Sequence, residues 1–279
     1  MQDKTLSATG DRVTIHVSVG VAEVTLNRPD KLNALDPAMF KAIIAAGERL
    51  SRMAGLRAVV LTGAGKGFCA GLDRETFASI AGGGAAPTLG NLMERTHGLA
   101  NDFQQAAYVW RTLPVPVIAA IHGVALGGGF QIALGADIRY VAPDARLSIL
   151  EIKWGLVPDM SGIALMRELA RSDVIRELSL TGRVFSGAEA LTYGFATSLH
   201  ADPLAAARAT AKEIAGRSPD AVRAVRAVKR LQNMTSDADT AAILLAESKE
   251  QAALIGSPNQ LEAVRAGVEG RPGRFVDEE

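Results

Sequence analysis

Two glycine-bearing segments have the residue types and spacing most suited to chemistry. One runs His122-Gly123, Gly127-Gly128-Gly129 and Phe130-Gln131-Ile132-Ala133, directly after an apolar run at residues 117–121. Glycines at a strand-to-helix junction let the backbone approach a ligand, and the N–H groups at a helix start favour a negative oxygen. The other, Gly67-Phe68-Cys69-Ala70-Gly71-Leu72-Asp73, follows the apolar run Val59 to Thr62 and has similar character. Either alone reads as a tight turn. Together they offer two backbone N–H groups that can converge on one carbonyl oxygen as an oxyanion hole. Other ligands suit these loops poorly. Gly63-Ala64-Gly65-Lys66-Gly67 lacks the spacer and the Ser/Thr of a phosphate loop, and neither segment has the full G-x-G-x-x-G of a dinucleotide site.

The elements that must hold these loops follow from periodicity. Residues 13–18 and 21–26 are β-branched runs that read as strands joined by a turn at Gly20. After the break Asn27-Arg28-Pro29-Asp30, Asp36 and Pro37 supply an N-cap and a first-turn proline. The apolar Met39, Phe40, Ile43, Ile44 and Leu50 then predict a helix to about Met53. Residues 58–61 and 117–121 read as buried strands, residues 93–111 as helix, and Ser79 to Leu89 as a Gly/Ala-rich loop. Strands alternating with helices indicate an α/β core with parallel strands. In the last third, Asp202-Pro203, Ser218-Pro219 and Ser257-Pro258 each place a cap before a first-turn proline. Ser186 with Glu189 and Ser257 with Gln260 fit the capping box, and Gly194, Gly216 and Gly256 fall where helices end. Residues 1–200 therefore read as an α/β core carrying the site. Residues 201–279 read as a helical extension that packs on the core or on another subunit.

Composition narrows the function classes. Thirty basic against thirty acidic side chains give no global field for nucleic acid or an anionic membrane, so any anion site is local. One cysteine and four scattered histidines leave no disulfide and no metal-ligand spacing. The N-terminus is polar and no run reaches about 18 apolar residues, so a cytoplasmic protein without membrane spans is expected. Cys69 reads as a buried inert thiol, and His122 as a hydrogen-bonded structural residue rather than a base.

Four segments taken together carry a family resemblance. Val24-Thr25-Leu26-Asn27-Arg28-Pro29 with Lys31, Asn33 and Ala34, the Gly67–Asp73 loop, the His122–Gly129 loop, and Glu151-x-x-x-Gly155-x-x-Pro158 resemble the crotonase (enoyl-CoA hydratase/isomerase) superfamily. Thr181-Gly182-Arg183 with Ser186, Glu189, Ala190 and Gly194 resembles a further family segment. The resemblance implies an α/β spiral of repeated strand-strand-helix units with a C-terminal helical trimerisation region, assembled as trimers or hexamers. It implies an acyl-CoA thioester substrate, with coenzyme A present only as part of that substrate and no metal or redox cofactor. The N–H groups of Leu72 and Gly128 would form the oxyanion hole, with Gly71 and Gly127 beside them. Arg28 and Lys31 correspond to positions near the CoA phosphates and pantetheine, and Ala34, Ala70 and Asp73 to the lining of that region. Trp110 and Trp154 would pack in the acyl pocket or the core.

The acid/base set departs from the family pattern. Hydratases of the family carry one glutamate after the Gly-Gly-Gly loop and another in the Glu-x-x-x-Gly-x-x-Pro segment; here the first position is Gln131 and the second is Glu151. A glutamine exchanges no proton near neutral pH but can orient water or substrate. Hydration then asks one carboxylate to serve two roles, whereas moving a double bond needs only removal and return of a proton. Asp159 lies where dienoyl-CoA isomerases of the superfamily also carry an acid, and can pair with Glu151. Ile149, Leu150, Ile152 and Trp154 are expected to desolvate Glu151 and raise its pKa. The expected function is therefore enoyl-CoA hydration or isomerisation, the alternative being a non-catalytic acyl-CoA binding or scaffold protein of the same fold.

Overall fold

The computed structural model describes residues 4–8, 12–73, 75, 92–234, 252, 253, 255 and 257–276. The predicted loop at 79–89 and the predicted helix end at Gly256 lie outside them. The chain opens with three antiparallel strands, β1 (Lys4–Ala8), β2 (Val13–Ser18) and β3 (Val21–Leu26). Val13, Ile15 and Val17 of β2 alternate into the core, as a strand period of two requires. Val19 and Gly20 both take positive φ, the geometry that matches a two-residue hairpin turn to strand twist. Asp36 then accepts from the Met39 N–H and starts α1 (Pro37–Ser51), with Pro37 in the first turn as predicted.

From β4 (Ala58–Gly63) onward the sheet is parallel. After α2 (Asp102–Thr112), β5 (Val117–Ile121) joins it, followed by β6 (Val124–Leu126) and α3 (Gly128–Leu134). Then come β7 (Ile138–Val141), β8 (Arg146–Ser148), α4 (Gly162–Met166), α5 (Ser172–Thr181), β9 (Phe185–Ser186), α6 (Gly187–Tyr193) and β10 (Ser198–Leu199). The main sheet has the order β1-β2-β3-β4-β5-β7-β10, and a small sheet the order β6-β8-β9. Each turn of chain thus leaves one strand in each sheet: β5 with β6, then β7 with β8. Single bridges, Leu35 to Leu72 and Cys69 to Ala125, extend the small-sheet pairing to earlier turns. That pairing sets the two glycine loops side by side.

Strands β4 and β5 are buried throughout, as parallel strands covered on both faces must be. One face packs on α1 and α2, including the wholly buried Trp110. The other packs on α7 (Pro203–Ala215), whose Ala207 and Ala211 lie against Ala58, Val60, Ile118 and Ala120. The first helix of the C-terminal third therefore packs on the core. The next, α8 (Pro219–Met234), sends Arg226 to the carbonyls of Trp110 and Arg111 at 2.9 and 3.0 Å and to Asp137 at 2.9 Å; α9 (Pro258–Glu269) follows.

Some boundaries differ from the sequence reading. The helix expected over 93–111 starts only at Asp102, because Asn101 and Gln104 form a reciprocal capping box that fixes its entry. Ser218 precedes α8, but its buried hydroxyl makes no hydrogen bond. Gly194 ends α6 with φ +91 as expected of a left-handed cap, whereas Gly216 ends α7 at φ −81. Among the described residues, no helix is long and apolar enough to cross a membrane.

Candidate active site

The two glycine loops meet along the bridge pattern. Leu35 N–H donates to the Gly71 carbonyl at 2.8 Å and Asp73 N–H to the Leu35 carbonyl at 3.0 Å, so the intervening Leu72 N–H points away from that bridge. On its other side lies the second loop. Cys69 N–H donates to the Val124 carbonyl, Leu126 N–H to the Cys69 carbonyl, and Gly127 N–H to the Ser148 carbonyl, each at 3.0 Å. Gly71 sits at φ +83, where a Cβ would be 2.5 Å from the Leu126 oxygen and 3.6 Å from the Gly128 nitrogen. The backbones at 71–72 and 127–128 are thus in contact, and glycine at 71 permits it. Gly128 opens α3, so its N–H belongs to the first turn, which has no intrahelical acceptor.

Leu72, Gly127, Gly128, Glu151 and Asp159 share the wall of one cavity of about 720 Å³. Phe40, Phe103, Leu126, Leu150, Trp154 and Met160 supply much of its apolar lining. Periodicity identified Phe40 as a core residue only, and nothing in the local pattern marks Phe103 or Met160 as lining a pocket.

Glu151 begins a 3-10 turn (Glu151–Trp154) and is 8 % exposed. Its Oε1 accepts from Gln131 Nε2 at 2.6 Å, while its buried Oε2 has no hydrogen-bond partner. Burial pushes the carboxyl above its usual range; hydrogen bonds from its own backbone and from Gln131 oppose that, and the Asp159 charge adds to it. The direction agrees with the sequence reading, but the predicted desolvating neighbours need correction. Ile152 and Trp154 are 41 % and 50 % exposed. With three residues per turn, Trp154 follows Glu151 onto the cavity wall while Ile152 points outward. Asp159 is an exposed residue of the cavity wall, and partial loss of water around its carboxyl there shifts its pKa upward as well.

Gln131 is not placed to orient water or substrate. It is 1 % exposed and stands behind Glu151, and its Oε1 accepts from the N–H groups of Met160 and Gly162 at 2.9 Å each. Both ends of the amide are engaged by protein.

Arg28 is neither a solvated loop cation nor a free anion ligand. Its guanidinium forms a buried ion pair with Asp73, donates to the Ala34 carbonyl at 3.3 Å and lies 3.7 Å from Asp36. Burial acts to raise the Asp73 pKa, but hydrogen bonds from the Glu75 N–H and Arg28, with the charges of Arg28 and Lys31, hold it below the usual range. Lys31 is half exposed at the cavity rim and reaches Glu75 at 3.1 Å. Ala34 and Ala70 line the same end. Asn33, for which the sequence pattern implies no role, is wholly buried at φ +56. Its Nδ2 donates to the carbonyls of Ala64, Gly67 and Phe68 at 2.9, 2.8 and 3.2 Å, and its Oδ1 accepts from the Arg28 N–H at 2.8 Å. One amide thereby anchors the start of the first glycine loop. Cys69 is buried with its thiol pushed up to about 12 by desolvation. His122 bonds the Gly65 carbonyl at 3.0 Å, in keeping with a structural role.

A spiral of largely parallel strands that sets two glycine loops and a desolvated carboxylate round an apolar cavity defines a class that comparison with known proteins makes specific. Residues 16–278 match the model of the enoyl-CoA hydratase/isomerase family, and the chain belongs to that family. It is 34% identical over 210 residues to the human mitochondrial Delta(3,5)-Delta(2,4)-dienoyl-CoA isomerase, covering 74% of this chain but only 64% of that relative's length. It is 34% identical over 221 residues to the (E)-benzylidenesuccinyl-CoA hydratase of Thauera aromatica, covering 77% of this chain and 80% of the relative. The crystal structure of an enoyl-CoA hydratase from Mycobacterium tuberculosis H37Rv superposes with a TM-score of 0.81 at 29% identity, over 96% of this chain and 99% of that one.

Proposed function

We propose that this chain moves the double bond of an enoyl-CoA thioester by proton transfer at carbon. The observation that carries the reading is Glu151: a largely buried carboxylate, desolvated so that it holds its proton more tightly, on the wall of an apolar cavity that also presents Leu72 and Gly128. In this reading Glu151 takes a proton from the carbon α to the thioester carbonyl. The electron pair moves onto the carbonyl oxygen, which accepts from the Leu72 and Gly128 N–H groups as an enolate. The charge then returns along the conjugated chain, and the γ or a more distant carbon receives a proton from Glu151 or from Asp159. Atoms and charge balance without a metal or redox cofactor, and coenzyme A enters as part of the substrate.

Migration is favoured over hydration because no second glutamate stands at residue 131 to share the activation of water. Hydration remains the second reading, supported by the likeness to the Thauera hydratase; Glu151 would then act alone as base and acid. Lys31 at the rim suits the phosphate-bearing end of the ligand, and Ala34, Ala70 and Asp73, the last held by Arg28 from behind the lining, shape the wall beside it. In the proposed trimer or hexamer, residues 201–279 supply assembly contacts beyond α7, supported by the exposed Val225, Leu261 and Val264 on α8 and α9.

Incubation with a 3-enoyl-CoA and a 2-enoyl-CoA separately in D2O tests the reading. Conversion of the first with deuterium entering the acyl chain is expected. Tight binding of both without turnover or exchange would overturn it in favour of a non-catalytic binding protein.

A further inference from the structure

Gln131 stands where its amide has only one workable orientation. The N–H groups of Met160 and Gly162 can only donate, so the side-chain oxygen faces them and Nε2 faces Glu151 Oε1, 2.6 Å away. A Cβ at residue 162 would lie 2.4 Å from the Gln131 Oε1, so glycine there lets the backbone donate at this distance. Glu151 Oε1 is consequently fixed by this amide. Met160 directly follows Asp159, so the same amide also ties down the segment bearing the second carboxylate.

We infer that Gln131 is a positioning residue that fixes the orientation of the Glu151 carboxylate through Oε1 and, through the Met160 N–H, fixes the segment carrying Asp159. The inference rests on the proton-transfer reading of Glu151. An amide suits this place because it donates to an ionised carboxylate. A glutamate at 131 would keep both backbone donors on one oxygen but set its other oxygen against Glu151 Oε1, and the two groups would share one proton. Gln131→Glu therefore reverses the interaction with Glu151 while preserving the anchors. Among the described charged groups, Asp159 is the other whose charge is felt at Glu151.

The test is the pH dependence of kcat for 3-enoyl-CoA isomerisation in the full chain, its Gln131→Glu and Gln131→Met variants, and Glu151→Gln. In Gln131→Glu the limb assigned to the base should move up by about one unit or more. In Gln131→Met, which loses the donor, the limb should rise by about one to two units and kcat should fall at least about 10-fold, with KM changed less than about 3-fold. Should Gln131→Met not fold, Gln131→Glu carries the test, because its anchors are retained. Failure of Gln131→Glu to fold at pH 5, where the shared proton is present, overturns the inference. So does a limb within about 0.3 unit of the parent, or a gain of hydration with an unmoved limb. Wild-type turnover in Glu151→Gln would instead remove the proton-transfer reading itself, while an inactive Glu151→Gln beside unmoved Gln131 profiles removes only the role of Gln131.

Discussion

Replacing Gly71 by alanine tests the convergence of the two loops with the smallest possible change. At φ +83 an alanine carries a left-handed penalty of about 1 kcal/mol. The larger effect is steric: the new Cβ would stand 2.5 Å from the Leu126 carbonyl oxygen, a backbone atom flanked by Leu126 N–H bonded to Cys69 and Gly127 N–H bonded to Ser148. Reaching even 3.0 Å requires the loops to part by about 0.5 Å. Leu72 and Gly128 flank that contact, so the displacement falls on the spacing between their N–H groups. Loss of one such donor lowers kcat by roughly 10²–10³, and a shift of about half an ångström should approach the lower figure. The assay is the ultraviolet absorbance of the conjugated thioester formed from a 3-enoyl-CoA, with thermal melting as the folding control. We expect kcat down about 100-fold and KM changed only a few-fold, because the site binds the rest of the thioester elsewhere. A folded Gly71→Ala with kcat within about threefold of the parent would refute convergence of these N–H groups on the reacting oxygen.

Other outcomes follow from the same geometry. Glu151→Gln should lower turnover by about 10²–10⁴ while isothermal titration with a non-reactive acyl-CoA still shows binding. Because burial raises the Glu151 pKa above 4.5, the folded state holds this proton more tightly than the unfolded chain, and its contribution to stability is lost as pH rises through the raised value. Glu151→Gln should accordingly gain stability over the parent at pH 8 relative to pH 4 in paired melting curves. Arg28→Met strands the buried Asp73 carboxylate and should cost about 3 kcal/mol in denaturant unfolding, part of which Arg28→Met/Asp73→Leu recovers. Asn33→Ala leaves three carbonyls without their shared donor and should destabilise by about 2–4 kcal/mol.

The fold was legible wherever a local signal had one physical meaning. The β2–β3 hairpin, the Asp36–Pro37 helix start, the buried strands β4 and β5 and the Ser186–Glu189 capping box all stand as periodicity and capping chemistry predict. Residues 92–101 escaped because the start of α2 is fixed by one Asn–Gln exchange rather than by the apolar spacing around it. The two loops and Glu151 were findable because glycines and a carboxylate at fixed spacing mark them. Arg28 and Gln131 were not, since a charge's partner at residue 73 and an amide's partners at 151, 160 and 162 are set by tertiary contact alone. Composition was similarly silent on the packing of α7, which Ala207 and Ala211 decide by being small enough to lie on the sheet.

Cys69 bridges the two glycine loops through backbone bonds on either side and is the chain's one thiol. With its proton held to about pH 12 and its sulfur bonded to the Asn33 carbonyl at 3.1 Å, it is closed to alkylating reagents while the loops are joined. Alkylation must then wait for that junction to part, so the labelling rate of a single atom is a clock for the opening of the seam between residues 69–72 and 125–128. The folded protein thereby carries its own reporter at the place where its two halves of chemistry meet, with no engineered label required.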